Sequence, residues 1–171
     1  ATAYPSYTSE MAAALAEGLD RFIDEAFWSA DGTVGKLFTS NRIFVNDAMA
    51  GLYDVPSPGR ALAPVDADPE RRVGLLTQAG FMAGLAHPTE QAPIQRGNFV
   101  LERVMCAPAP PPPSATLPTI PPLAANEKLT YRQRVERATQ QGACGGCHAV
   151  INGVGFGFEN YDGIGRFQTD E

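Results

Sequence analysis

The chain has 171 residues, of which 44% are hydrophobic and 19% are charged. These proportions are typical of a globular protein, and they exclude a chain that is disordered throughout. Thirteen lysines and arginines stand against nineteen acidic residues, so the formal net charge is −6. An acidic chain without a basic stripe is a poor nucleic-acid binder. No apolar run reaches the roughly 20 residues that a membrane-spanning helix needs.

Helices account for most of the predicted structure, because apolar residues recur at three- and four-residue spacing in five segments. These segments are 9–29, 42–53, 71–85, 94–105 and 129–141. The first has the clearest pattern, with Ser9 as its expected N-cap and Glu10 in its first turn. We therefore predict a mostly α fold with little or no sheet.

A proline-rich segment follows the fourth helix. Eight prolines lie within residues 107–123, and such a stretch forms neither a helix nor a central strand. It is predicted to be an extended strap that packs on the surface, or alternatively a flexible linker. It separates a predicted helical module, 1–106, from a second module, 124–171.

The second module contains the one motif with clear chemistry. Residues 144–148 read Cys-Gly-Gly-Cys-His, which is the attachment pattern of c-type haem. Two cysteines three residues apart fall on one side of a helical turn, so both can bond to one porphyrin. The adjacent histidine then reaches the iron. The sequence therefore predicts one covalent haem c, with thioethers at Cys144 and Cys147 and His148 as the proximal iron ligand.

Two other interpretations of the motif are a redox dithiol and half of a zinc site. A thioredoxin-like dithiol belongs in a strand–helix context that the pattern does not show. A zinc site needs further ligands of the same kind, and only His87 and Cys106 remain. Both interpretations are therefore weaker than haem attachment.

The complete prediction is an irregular helical domain around one haem, with a glycine- and aromatic-rich tail over 153–167.

The second axial ligand is open among three possibilities, since no methionine follows the motif. His87 is the first, as the only other histidine in the chain. Met82 and Met105 are the second, each on an otherwise apolar helical pattern. The third is an open or water-bound iron. Histidine or methionine suits electron transfer, whereas an open position suits peroxide or small-ligand chemistry.

Arginines are the expected partners of the haem propionates, because a guanidinium offers a fork that matches a carboxylate. Arg96, Arg132 and Arg166 are the candidates. Arg166 is the best placed of them, since it lies in the glycine-aromatic tail.

Beyond the motif, the chain resembles a known family. Residues 144–167 are similar to the haem segment of the planctomycete-type cytochrome c proteins, which are large extracytoplasmic proteins built of domain-of-unknown-function modules. The matching stretches are 155–166 after the motif and, upstream, 44–47, 50–53, 72–78, 93–97 and 106–113. Asn152-Gly153 stands where that family has Asp-Pro, and Ala92 where it has Ser. The resemblance covers roughly 9–171 and implies haem, export and a fragment of a larger protein.

Three functions are consistent with these features. The first is a c-type cytochrome domain that exchanges electrons with a partner haem protein or oxidoreductase. The second is a peroxidase-like enzyme with an open distal site, and the third is an assembly-forming or filament-forming cytochrome subunit. We favour electron transfer over an enzyme. Because haem c is attached outside the cytoplasm, we expect a periplasmic, cell-surface or secreted location.

Overall fold

The computed structural model describes residues 3–110, 120, 127–140 and 142–169, without the side chain of Ala143. The chain divides into two units. The first comprises Ala1–Gln91 and Tyr161–Phe167, and the second comprises Ala92–Asn160 and Gln168–Glu171. Helices predominate in the described residues, so the predicted mostly α class is confirmed. No helix in those residues has the length and apolar character required to cross a membrane.

The first unit begins with helix α1, Ser9–Ile23, which continues as a π-helical segment, Asp24–Trp28. The helix predicted over 9–29 is thus confirmed. Its cap is Thr8 rather than Ser9, because the Thr8 hydroxyl accepts a hydrogen bond from the Met11 amide at 3.1 Å. The buried face of α1 includes Met11, Leu15 and Phe22.

The helix predicted over 42–53 is wrong in its first half. Strand β1, Arg42–Val45, pairs antiparallel with β2, Ala63–Asp66, and only Ala50–Tyr53 is helical, as α3. Ile43 and Val45 are both fully buried and Phe44 between them is not. This period of two belongs to a strand with one face on a core. Within the described residues the sheet consists of these two strands.

The helix predicted over 71–85 is also too long. Helix α2, Val34–Thr39, lies close to the backbone at Gly74. The Gly74 backbone has φ +68°, and a Cβ there would lie 2.5 Å from the Phe38 carbonyl oxygen. This conformation interrupts the helix, so that only a 3-10 turn, Leu75–Thr77, and α4, Ala79–Gly84, form.

A buried arginine ties the C-terminal segment into the first unit. Arg72 donates to the carbonyl oxygens of Thr77, at 2.7 Å, and Gly165, at 2.6 Å. Its guanidinium lies over the rings of Tyr53 and Tyr161, at 4.7 and 5.2 Å. Burial lowers the pKa of Arg72, and the two tyrosines oppose that effect. These contacts hold the C-terminal part of the glycine-aromatic tail, Tyr161–Phe167, in the first unit.

In the part of the second unit that the structure describes there are three α-helices. Helix α5, Pro93–Phe99, continues as a π-helical segment, Val100–Val104. Helix α6, Tyr131–Thr139, begins with a capping box formed by Thr130 and Gln133. Helix α7, Gly145–Gly155, is preceded by a 3-10 turn, Gly142–Cys144, and followed by another, Phe156–Phe158.

These elements match two of the predicted helices, 94–105 and 129–141, with slightly different ends. The start of the glycine-aromatic tail is helical rather than irregular, because α7 extends to Gly155. Most of the predicted strap, residues 111–119 and 121–123, lies outside the described residues. The division at residues 106 and 123 stays a prediction.

Two glycines allow α5 and α7 to cross with their backbones in close contact. A Cβ at Gly97 would overlap the Ile151 carbonyl oxygen, and a Cβ at Gly155 would overlap the Pro93 carbonyl oxygen. Both clashes are with backbone, which yields less readily than a flexible side chain. This crossing holds the helix that carries His148 against its neighbour.

Gly155→Ala is therefore expected to lower the free energy of unfolding by about 1–3 kcal/mol, because the added methyl group overpacks the crossing. Gly153→Ala is the matched control on the same helix, since a Cβ at Gly153 has no atom within 4 Å. That control should raise the free energy of unfolding by roughly 0.5–1 kcal/mol through backbone entropy. Urea denaturation of both variants measures the difference, and equal effects would contradict the crossing.

Candidate functional site

The cysteines and the histidine of the motif lie at the N-terminal end of α7. Cys144 ends the 3-10 turn, and Cys147 and His148 follow in the first turn of the helix. A Cβ at Gly145 would lie 2.7 Å from the Gln140 carbonyl oxygen. Glycine at this position therefore lets the start of α7 pack closely on the end of α6. Cys144 and Cys147 are free thiols, both partly buried.

A side-chain relay orients the ring of His148. Its Nδ1 lies 3.2 Å from Oδ1 of Asn152, one helical turn later. The Asn152 amide nitrogen donates to the Thr139 hydroxyl oxygen at 2.8 Å, and that hydroxyl donates to the Val135 carbonyl oxygen at 2.7 Å. We call these three side chains, Thr139, Asn152 and His148, the relay.

The relay determines which ring nitrogen of His148 carries its proton. The single Thr139 hydroxyl proton goes to the Val135 carbonyl, so the hydroxyl oxygen accepts from Asn152. The amide oxygen of Asn152 then faces Nδ1, which must donate. Nε2 consequently keeps its lone pair, which is the form of histidine that binds a metal ion.

A cleft of about 370 Å³ lies beside His148, between α6 and α7. Arg132, at its edge, lies over the Phe156 ring at 4.5 Å and pairs with Glu159 at 3.1 Å. The hydrogen bond that Arg132 donates to the Glu136 carboxylate, followed by the charge of Glu159, holds the pKa of Arg132 above its usual range. The motif cysteines do not line this cleft.

The second unit also exposes apolar side chains on the elements that carry the motif. On α7, Val150 follows Cys147 by three residues and is 58% exposed. Val104 and Met105 are 39% and 59% exposed, at the end of the π-helical segment that packs against α7. Such exposure fits a flat apolar group that would cover these side chains.

The candidate distal ligands are distributed over both units. His87 is exposed and follows α4 in the first unit. Met82 is in the same unit, on α4, and is fully buried. Met105 is in the second unit, where His148 also lies.

Arg96 and Arg166, two of the three candidate propionate partners, have different surroundings. Arg96 is only 1% exposed, and its Nη1 donates to the Phe158 carbonyl oxygen at 3.5 Å, which ties α5 to the turn after α7. Arg166 is exposed in the first unit, and its Nη2 lies 3.4 Å from the Ser6 hydroxyl. Exposure leaves Arg166 available to an anionic group.

Sequence reasoning missed Asn152 and Thr139 as site residues. The signal for Asn152 was its position four residues after His148, where side chains on one helix face meet. Thr139 had no comparable signal, because it lies on another helix and reaches the site only through packing. For the zinc alternative, the described residues contain no group of three or more His, Cys, Asp or Glu side chains able to hold a metal ion.

Comparison with known proteins gives two family matches. The family described as "Protein of unknown function (DUF1592)", PSD4, matches residues 1–55, and "Protein of unknown function (DUF1588)", PSCyt3, matches residues 72–171. Both are modules of planctomycete cytochrome c family proteins. No curated protein and no solved structure matches the chain. The DUF1588 match covers more than half of the residues of this chain, so the chain belongs to the DUF1588 family.

Proposed function

We propose that this chain is a c-type cytochrome domain that carries one covalent haem and transfers electrons outside the cytoplasm. The observation that carries the proposal is the hydrogen bonding of the His148 ring. Its Nδ1 is held by Asn152, which leaves Nε2 available on a helix whose N-terminal end also carries the two free thiols of Cys144 and Cys147. The family match is compatible with this role, because DUF1588 modules are typical of cytochrome c proteins.

Each residue of the motif has a distinct part in holding the haem. The sulfurs of Cys144 and Cys147 would form the two thioether bonds, and Nε2 of His148 would bind the iron. When bound, the haem supplies a one-electron centre. The exposed apolar side chains Val150 and Met105 would lose contact with water on its attachment. Arg166 remains the proposed propionate partner, whereas Arg96 has a place in the packing of the second unit.

We propose His87 as the distal ligand, with Met105 as the alternative. Both side chains are exposed, so ligation by either would not require a core to open. The sulfur of Met82 would need the core of the first unit to open, since that side chain is fully buried. A strong sixth ligand keeps the iron coordination unchanged when the electron moves, which favours electron transfer.

The proposed location and partner follow from the covalent haem. Attachment of haem c takes place outside the cytoplasm, so the domain acts in the periplasm, at the cell surface or in a secreted form. Its partner is a second redox protein or a neighbouring haem subunit.

The proposal is tested on the purified holoprotein by electron paramagnetic resonance of the ferric form and by voltammetry. We expect low-spin iron, a reversible one-electron wave and slow reaction with hydrogen peroxide. High-spin ferric iron that turns over peroxide would instead support a peroxidase-like enzyme and contradict electron transfer as the main activity.

A further inference from the structure

We infer that Asn152 is a positioning residue that sets the reduction potential of the haem through His148, and that Thr139 fixes its orientation. This inference rests on the proposed function, because it concerns the iron that His148 would bind. Asn152 and Thr139 are 7% and 2% exposed, so the hydrogen bond between these two members of the relay is shielded from water.

The orientation of the Asn152 amide is enforced from outside its own helix. An isolated asparagine presents either its oxygen or its nitrogen to a neighbour at similar cost. Here the Thr139 hydroxyl donates its only proton to the Val135 carbonyl oxygen. It can therefore only accept a hydrogen bond from Asn152, and the amide nitrogen is the group that donates it. A flipped amide would place two donors against each other if Nδ1 keeps its proton. Helix α6 therefore holds the acceptor toward the ring on α7.

The acceptor affects the iron because a hydrogen bond from Nδ1 makes the histidine a stronger electron donor at Nε2. A stronger donor stabilises ferric iron more than ferrous iron and lowers the reduction potential. An amide oxygen is neutral, so it polarises the ring less than a carboxylate would. The neutral acceptor keeps the potential above the value that an acid at the same position would give.

Asn152→Asp is the direct test, measured by voltammetry on the covalently loaded holoprotein at pH 7. In this measurement the electrode gives one electron to ferric iron. The relay side chains take no chemical part in the reduction. We expect the equilibrium constant for reduction to fall at least ten-fold, which is about 59 mV for one electron. The iron–histidine stretching frequency in resonance Raman spectra of the ferrous protein should rise when both chains also carry His87→Ala, which removes the proposed sixth ligand. Asn160→Asp adds the same charge at an exposed position and should leave both readouts nearly unchanged.

A second pair of variants keeps the test decisive if Asn152→Asp does not fold. Thr139→Val removes the hydroxyl and frees the amide to rotate, so the potential should rise as the acceptor is lost from Nδ1. Thr139→Ser keeps the hydroxyl and should restore the original potential, which a role in packing alone would not produce.

The inference and the proposed function fail in different ways. Covalent haem with the same potential in wild type, Asn152→Asp and Thr139→Val would overturn the inference and leave the cytochrome assignment intact. A wild-type chain that acquires no covalent haem would overturn the cytochrome assignment itself.

Discussion

Replacement of both motif cysteines, Cys144→Ala with Cys147→Ala, is expected to abolish covalent haem attachment. The reason is chemical, because these two sulfurs form the only proposed bonds between the chain and the porphyrin. Haem would then be held only by non-covalent contacts and iron ligands, and it would separate from the chain on denaturation. Haem-dependent staining of a denaturing gel measures the bound fraction, which should fall from nearly complete to background.

Cys106→Ala is the matched control for this experiment. Cys106 is also a free thiol, but it is exposed and lies outside the motif. Its replacement should leave covalent attachment and the absorption spectrum unchanged. Haem that stays bound to the denatured double variant, or is lost from Cys106→Ala, would contradict attachment at Cys144 and Cys147. Either single motif variant should retain one thioether and show a haemochrome band shifted to longer wavelength.

The second large effect is expected at the distal position. His87→Ala should convert the ferric iron from low-spin to high-spin, because the iron loses its sixth ligand and the ligand field weakens. Electron paramagnetic resonance and the visible spectrum of the ferric protein both report this change. Thr89→Ala, at an exposed position in the same loop, should leave the iron low-spin.

The alternative ligand gives a different pattern. If Met105 bound the iron, the wild-type ferric protein would show a sulfur-to-iron charge-transfer band, and Met105→Ala rather than His87→Ala would produce high-spin iron. A wild-type protein that is already high-spin would contradict both ligands. His87→Ala that remains low-spin, without the sulfur band, would also contradict the proposal.

Local sequence patterns were sufficient to predict elements whose determining residues lie on one helix face. The 15 residues of α1 repeat apolar side chains at helical spacing, and their packing required no distant partner to be recognised. The cysteine–histidine motif was recognised in the same way, because the prediction of haem attachment depends on spacing within five consecutive residues. In both cases the residues that determine the structure are close together in the chain.

Prediction failed where contacts between distant segments decide the local structure. Phe44 and Val45 fit a helical pattern, but pairing with β2 and packing beneath α1 select a strand. The backbone at Gly74 interrupts a helix that the neighbouring residues favour. The nearby Phe38 carbonyl leaves no room for a side chain at this position. The Thr139 contact to Asn152 joins residues on two helices, so no spacing rule could indicate it.

The central claim is that this chain holds one haem through two thioether bonds, and the pyridine haemochrome spectrum tests it most directly. The chain is produced with a c-type maturation system, purified and extracted with acidified acetone before the spectrum is taken. We predict that the haem stays with the protein and gives the spectrum of a haem with both vinyl groups saturated. Haem that passes into the acetone, or a chain that emerges without haem, would contradict the account.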